Sequence, residues 1–172
     1  MLKKILIGLL AVLIIIQFFR PEKNESNDQT YAISTKYNVP NDVDQILAVS
    51  CYDCHSNKTR YPWYFSVQPV AWWMNDHISE GKRHLNLSAF TRMPIAFQNR
   101  KFKGIVYNVE KKHMPISSYT YLGMHSDANL SDEQRQTVID WAKSQMDYLK
   151  ANYPADSLKM PERRPRPPKD DD

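Results

Sequence analysis

After Lys3 and Lys4 every residue from Ile5 to Ile16 is apolar or glycine, and Gln17 is the one polar interruption before Phe18 and Phe19. A segment with no polar face suits lipid better than the surface of a small domain, and lysines ahead of it are the charged flank of an export signal. No small-residue cleavage site precedes Pro21, so residues 1–20 are expected to be an uncleaved N-terminal transmembrane helix, its lysines on the cytoplasmic side. Residues 21–38 turn polar, rich in Asn, Glu, Ser, Asp and Thr, and predict a spacer.

Helical periodicity takes over from there. With Asn41 or Asp42 as cap, Val43, Ile46, Leu47, Ser50, Cys51 and Cys54 repeat every 3.6 residues, which predicts one helix with both cysteines on its inner face. A second helix is expected after Pro69, with Val70, Trp73, Met74, His77, Ile78 and Gly81 on one stripe. A third, shorter helix is suggested by Phe102, Ile105, Val106 and Val109. In the last, Ser131 and Gln134 form a capping box ahead of a buried side made of Val138, Trp141, Ala142, Gln145 and Leu149. Glycine is scarce and no strand-length alternation occurs, so the fold is expected to be all-α, a small helical domain over residues 39–153. Residues 154–172 are Pro-rich and charged and predict an extended or disordered tail.

Composition narrows the partners. A chain of 172 residues with 42% hydrophobic side chains has room for one domain and one core. The formal charge is +4 and the pI near 9.0. Lys3, Lys4 and Arg20 flank the first apolar run, and removing these three from the 23 basic residues leaves 20 against 19 acidic ones. The remainder is nearly neutral, which argues against a nucleic-acid partner.

The chemistry is concentrated in Cys51-Tyr52-Asp53-Cys54-His55. Two thiols three residues apart on a helical turn can each add to one vinyl group of the same haem, and the next residue's imidazole then falls under the iron. Three other readings compete. A Cys51–Cys54 disulfide would close a tiny loop and add little stability, a thioredoxin-like motif would want a preceding strand, and zinc would want two more ligands at fixed spacing. Covalent haem c, one per chain, is the expected cofactor, with His55 as proximal iron ligand.

The distal ligand has several chemically able candidates: Met74, His77, Met93, Met114, Met124 and His125. Met114 precedes Pro115, which restricts it to extended backbone on a stiff loop. It also lies far enough beyond His55 for the chain to wrap a haem and return. Met93-Pro94 shares the dipeptide but comes earlier. His77, alone on an apolar stripe, reads as a core histidine satisfied through one nitrogen or as a haem contact. Tyr61, Trp63, Tyr64, Trp72 and Trp73 are core packing, haem wall or both, and Arg60, Lys82 and Arg83 could reach the propionates.

The stretch Cys51 to Asn57, then Tyr61-Pro62-Trp63-Tyr64, Val67, Pro69, Trp72, His77-Ile78, Gly81 and Leu85-Asn86, closely resembles the bacterial haem-binding domain family of cytochrome-c-like proteins. Met114-Pro115, Tyr119, His125 and Leu130-Ser131-Asp132-Glu133 through Trp141 extend the resemblance over about residues 40–145. It implies covalent haem at Cys51 and Cys54, His55 as proximal and Met114 as distal iron ligand, and a haem contact at His77, which joins Trp73 and Tyr64 of the aromatic cluster as possible haem contacts.

Three functions follow as expectations. The first is single-haem electron transfer with His/Met ligation, the domain held by its anchor on the periplasmic or extracytoplasmic side of the inner membrane and served by a redox partner protein. The second is a gas or redox sensor, or a peroxidase-like protein, with a labile distal site where His77 or His113 acts as acid or base. The third is a module whose tail, with Arg163, Arg164 and Arg166, docks a partner.

Overall fold

In the computed structural model, which describes residues 1–120 and 125–161, seven α-helices are joined by short 3₁₀ turns, with no strand among the described residues. The all-α expectation holds. α1 (Leu2–Ile16) buries none of its side chains. Its helical hydrogen bonding runs on through Gln17, Phe18 and Phe19, whose N–H groups donate to Ile14, Ile15 and Ile16. Fifteen residues rise about 22 Å, short of the roughly 30 Å of a bilayer's hydrocarbon core. Among the described residues no helix is long and apolar enough to cross a membrane. The expected transmembrane helix is therefore not found.

α2 (Asn41–Ser50) buries Val43, Ile46 and Leu47, as the spacing predicts. Pro40, not Asn41 or Asp42, is its N-cap, and Asp42 and Asp44 lie in the first turn, where the helix dipole favours them. The single helix expected through Cys54 breaks at Cys51, whose backbone (φ −130°, ψ −45°) leaves the helical region. The Cys51 N–H closes α2 on Leu47 at 2.9 Å, and the Cys51 carbonyl opens α3 (Tyr52–His55) by accepting from Cys54 and His55. This corner separates the two thiols. Cys51 packs against the main core, while Cys54 reaches the cleft described below.

α4 (Val70–His84) begins right after Pro69 and buries Ala71, Met74 and Ile78. α5 (Ile95–Glu110) is longer than its apolar residues suggest, because buried Gln98 and Asn99 extend its inward face. Gln98 accepts from the Tyr37 hydroxyl at 2.5 Å and donates to the carbonyls of Thr91 and Met93. α6 (Ser117–Thr120) is a single turn. α7 (Asp132–Asn152) carries the Ser131–Gln134 capping box, and Val138, Trp141, Ala142, Gln145 and Leu149 are all buried, as expected. α5 and α7 form the main packing pair, with α2 against α7.

Both flanks of the predicted domain fold onto it. In the stretch expected to be a spacer, Ala32, Ile33 and Tyr37 are core residues. Asn24 Nδ2 donates to the Ser56 carbonyl (2.9 Å) and Thr59 Oγ1 (3.0 Å). Two large apolar residues in a polar stretch make no periodic pattern, so hydropathy passes over them. In the expected tail, Ala155–Leu158 forms a 3₁₀ turn, Leu158 packs on the core and its carbonyl accepts from Asn99. Arg163, Arg164 and Arg166 lie outside the described residues, as does Met124.

Candidate haem site

The corner at Cys51 is held against α4 by a close approach that only glycine permits. A Cβ on Gly81 would stand 2.7 Å from the Cys54 carbonyl oxygen and 3.1 Å from its Cβ. With the two backbones this near, His55 Nδ1 lies 2.9 Å from the Gly81 carbonyl and 3.0 Å from that of Leu85. Carbonyl oxygens only accept, so Nδ1 carries the ring proton and Nε2 keeps its lone pair. Burial holds the His55 pKa below its ordinary value, against the opposing pull of these two bonds, so the ring is neutral at physiological pH. A neutral imidazole fixed through Nδ1 is the form in which histidine ligates a metal.

Both cysteines are free thiols. Burial, with a smaller contribution from Cys54, pushes Cys51 up to about 12. Burial and then the neighbouring Asp53 charge push Cys54 up to about 11. These are protonated sulfurs at neutral pH, unlike the activated thiolate of a redox dithiol. Among the described residues no three His, Cys, Asp or Glu side chains gather to hold a bare ion.

A cleft of about 510 Å³, counted with its open mouth, lies beside Cys54. Tyr64, Trp73, Met74, His77 and Ile78 form one wall, and Ile116, Tyr119 and His125 the other. Trp73 and Tyr64, two of the residues expected as possible haem contacts, are thus among the lining residues. His77 is there too, with its Nδ1–H donating to the Trp73 carbonyl at 2.8 Å and its ring 4.4 Å from that of Trp73. Trp63 and Trp72 point outward, at 81% and 41% exposure, and do not line the cleft. Met93 packs on the main core. Met114 is half-buried and outside the cleft's lining, two residues before Ile116, which is part of it. Its carbonyl accepts from Arg135 at 2.9 Å and its N–H donates to the Asn108 carbonyl at 3.2 Å.

One feature of the site is invisible in the spacing. Asp53, the residue between the cysteines, is 6% exposed. It accepts from the Arg60 backbone N–H (2.9 Å), from Arg60 Nε and Nη2, and from the Tyr119 hydroxyl (2.9 Å). Burial and the Asp53 charge raise the Tyr119 pKa, so the phenol stays a donor. Tyr119 in turn stacks on His125 at 4.2 Å, whose Nε2 is 2.5 Å from the Tyr64 hydroxyl. The Cys-x-x-Cys-His turn is thereby tied to the segment that follows Met114. An acidic residue followed seven positions later by arginine was the available hint, but nothing local pointed to Tyr119. Lys82 donates to Asn24 and Arg83 pairs with Glu80 on the surface, so of the three expected propionate partners only Arg60 borders the cleft.

Cys54 on an aromatic-walled cleft, with Cys51 and a neutral His55 imidazole on the same turn but outside the cleft's lining, suits a haem, whose faces need apolar rings and whose iron needs a neutral nitrogen. The chain belongs to the Haem-binding domain family, whose model matches residues 11–144. No curated protein and no solved structure matches it.

Proposed function

We propose that the chain is an exported c-type haem protein that carries single electrons at a membrane surface. In this reading Cys51 and Cys54 are each joined to one haem by a thioether, His55 is the proximal ligand through Nε2, and Met114 is the distal one. A haem held this way supplies a one-electron couple with little rearrangement between its two states. The protein's part is to fix the imidazole, wall the cleft with Trp73, Met74, Ile78 and Ile116, and limit access of water. α1, apolar from Ile5 to Ile16 and without a buried side chain, associates the protein with the membrane, the domain standing on the extracytoplasmic side and meeting a redox partner protein there.

The observation that carries this reading is the double hydrogen bond at His55 Nδ1. It is tested by expressing the full chain in a host that matures haem c, staining a denaturing gel for haem and recording the ferric spectrum. Haem that survives denaturation, with a long-wavelength methionine-to-iron band lost in Met114→Ala, is the expected result. Absence of covalent haem beside a matured control protein would overturn the attachment.

A second reading, a sensor or peroxidase-like protein with a labile distal site, is favoured by one observation: His77 and His125 line the cleft whereas Met114 does not. Carbon monoxide separates the two. Prompt binding to the reduced protein would sink the six-coordinate carrier, and refusal would sink the open site.

A further inference from the structure

The end of α1 is clamped to the domain by side chains that a flexible tether would not need. Gln68, 1% exposed, takes a hydrogen bond on its carbonyl from Gln17 Nε2 (3.2 Å) and donates its N–H to Gln17 Oε1 (2.9 Å). Its own Nε2 donates to the Phe19 carbonyl at 2.7 Å, and Trp72 Nε1 donates to the same oxygen at 2.8 Å. α1 therefore leaves from one fixed place, the loop that leads into α4. Wherever α1 is received in lipid, that face of the domain goes with it.

The composition of the face fits that position. Phe18 and Phe19 are 83% and 62% exposed at the end of α1, and Val67 and Trp72 are 43% and 41% exposed beside the clamp. Trp63, on the 3₁₀ turn packed against the start of α4, is 81% exposed. Arg20 and Lys23 follow Phe19, both exposed, with Lys23 Nζ 5.3 Å from the Tyr61 ring centre. Exposed tryptophan and phenylalanine beside basic side chains is the pattern of the membrane interface, where rings sit at headgroup depth and cations meet lipid phosphates. Apolar surface this large has a cost in water that burial in the headgroup layer removes.

We propose that the face carrying Phe18, Phe19, Trp63, Val67 and Trp72 beds into the headgroup layer of the bilayer that receives α1, so that the domain lies on the membrane in one orientation. The proposal rests on the membrane association of α1 and adds to it a second, separate lipid contact.

The test is to reconstitute the full haem-loaded chain in vesicles of phosphatidylethanolamine and phosphatidylglycerol that contain a phospholipid with a headgroup-proximal diazirine. After photolysis, labelled tryptic peptides are mapped by mass spectrometry. Label is expected in 5–23 and in 61–82, the latter at several times the level in 144–150, whose Tyr148 is similarly exposed (41%) but remote in sequence from α1. Trp63→Ser should lower the label in 61–82 while leaving that in 5–23 unchanged. Label confined to 5–23 would overturn the proposal and leave α1 as a membrane segment. No label in either peptide would overturn both. Shielding of 61–82 in a lipid-free dimer that Trp63→Ser dissociates would assign the face to a second copy of the chain, and would also overturn it.

Discussion

Around Phe102 the side chains interlock ring against ring, whereas around Met74 they line an opening. On the first side, Tyr37 and Phe90 approach Phe102 at 4.9 Å and Trp141 at 5.8 Å, within a cluster of buried residues that runs from Ile33 to Leu149. On the second, Phe65, Ala71 and Met74 form a small buried cluster, with Tyr61, Tyr64 and Val70 partly buried against it. The first side is a complete core. The second borders an open cleft, with a polar chain from Arg60 through Asp53 and Tyr119 to His125 along its rim. Stability and ligand binding are thus divided between regions, which is how a small domain can keep an open cleft without unfolding.

Mutations should respect that division. Phe102→Ala removes the ring at the centre of the closed side and should cost about 3–5 kcal/mol. Thermal unfolding of the haem-loaded and haem-free chains would fall together, and a loss confined to the loaded form would break the comparison. Gly81→Ala acts at the seam, where its methyl would press on the Cys54 carbonyl. About 1–3 kcal/mol is expected from such overpacking, together with a fall in the haem stain per folded molecule, because His55 and Cys54 are displaced with it. Retained attachment with normal stability would mean that the seam is softer than its 2.7 Å approach implies.

Tyr119→Phe removes one hydrogen bond to a carboxylate and should cost about 1.5–3 kcal/mol locally. Its sharper readout is spectroscopic: attachment persists, while the distal side loosens and reduced protein takes up carbon monoxide faster. No change in that rate would detach the Asp53 network from the distal segment. The smallest effect belongs to Ser131→Ala, which deletes half of the capping box of α7 for about 1 kcal/mol. A melting point lowered by a few degrees, with an unchanged haem spectrum, is the outcome that fits the division.

How much of this was readable in the sequence follows from the range over which each signal acts. α7 was legible because its cap and its buried side are local, and the Cys51–His55 turn because its spacing is. The break at Cys51 was not, since 3.6-residue periodicity runs straight across a corner that packing against α4 creates. Ile33 and Tyr37 are hidden in a polar stretch, and α5 is longer than its apolar pattern because Gln98 and Asn99 are buried amides, bonded to Tyr37, Thr91, Met93 and Leu158, where apolar residues would be expected. The bond between Tyr119 and Asp53 joins residues 66 apart, which no window detects. The transmembrane span expected from hydropathy is not found, because an apolar run shows what lipid would accept but α1, at 15 residues, is shorter than a bilayer's hydrocarbon core.

The two carbonyls that receive the Nδ1 proton of His55 come from Gly81, in the last turn of α4, and from Leu85, the residue that follows the helix. A ring gripped in this way has little rotational freedom left to lose when its other nitrogen is coordinated. That loss is already included in the folding of α4 against the Cys51 corner, so the imidazole is a template present before any iron arrives. In kinetic terms, if His55 is the proximal ligand as proposed, the chain has no search for its orientation to make during loading; that search ends when α4 docks.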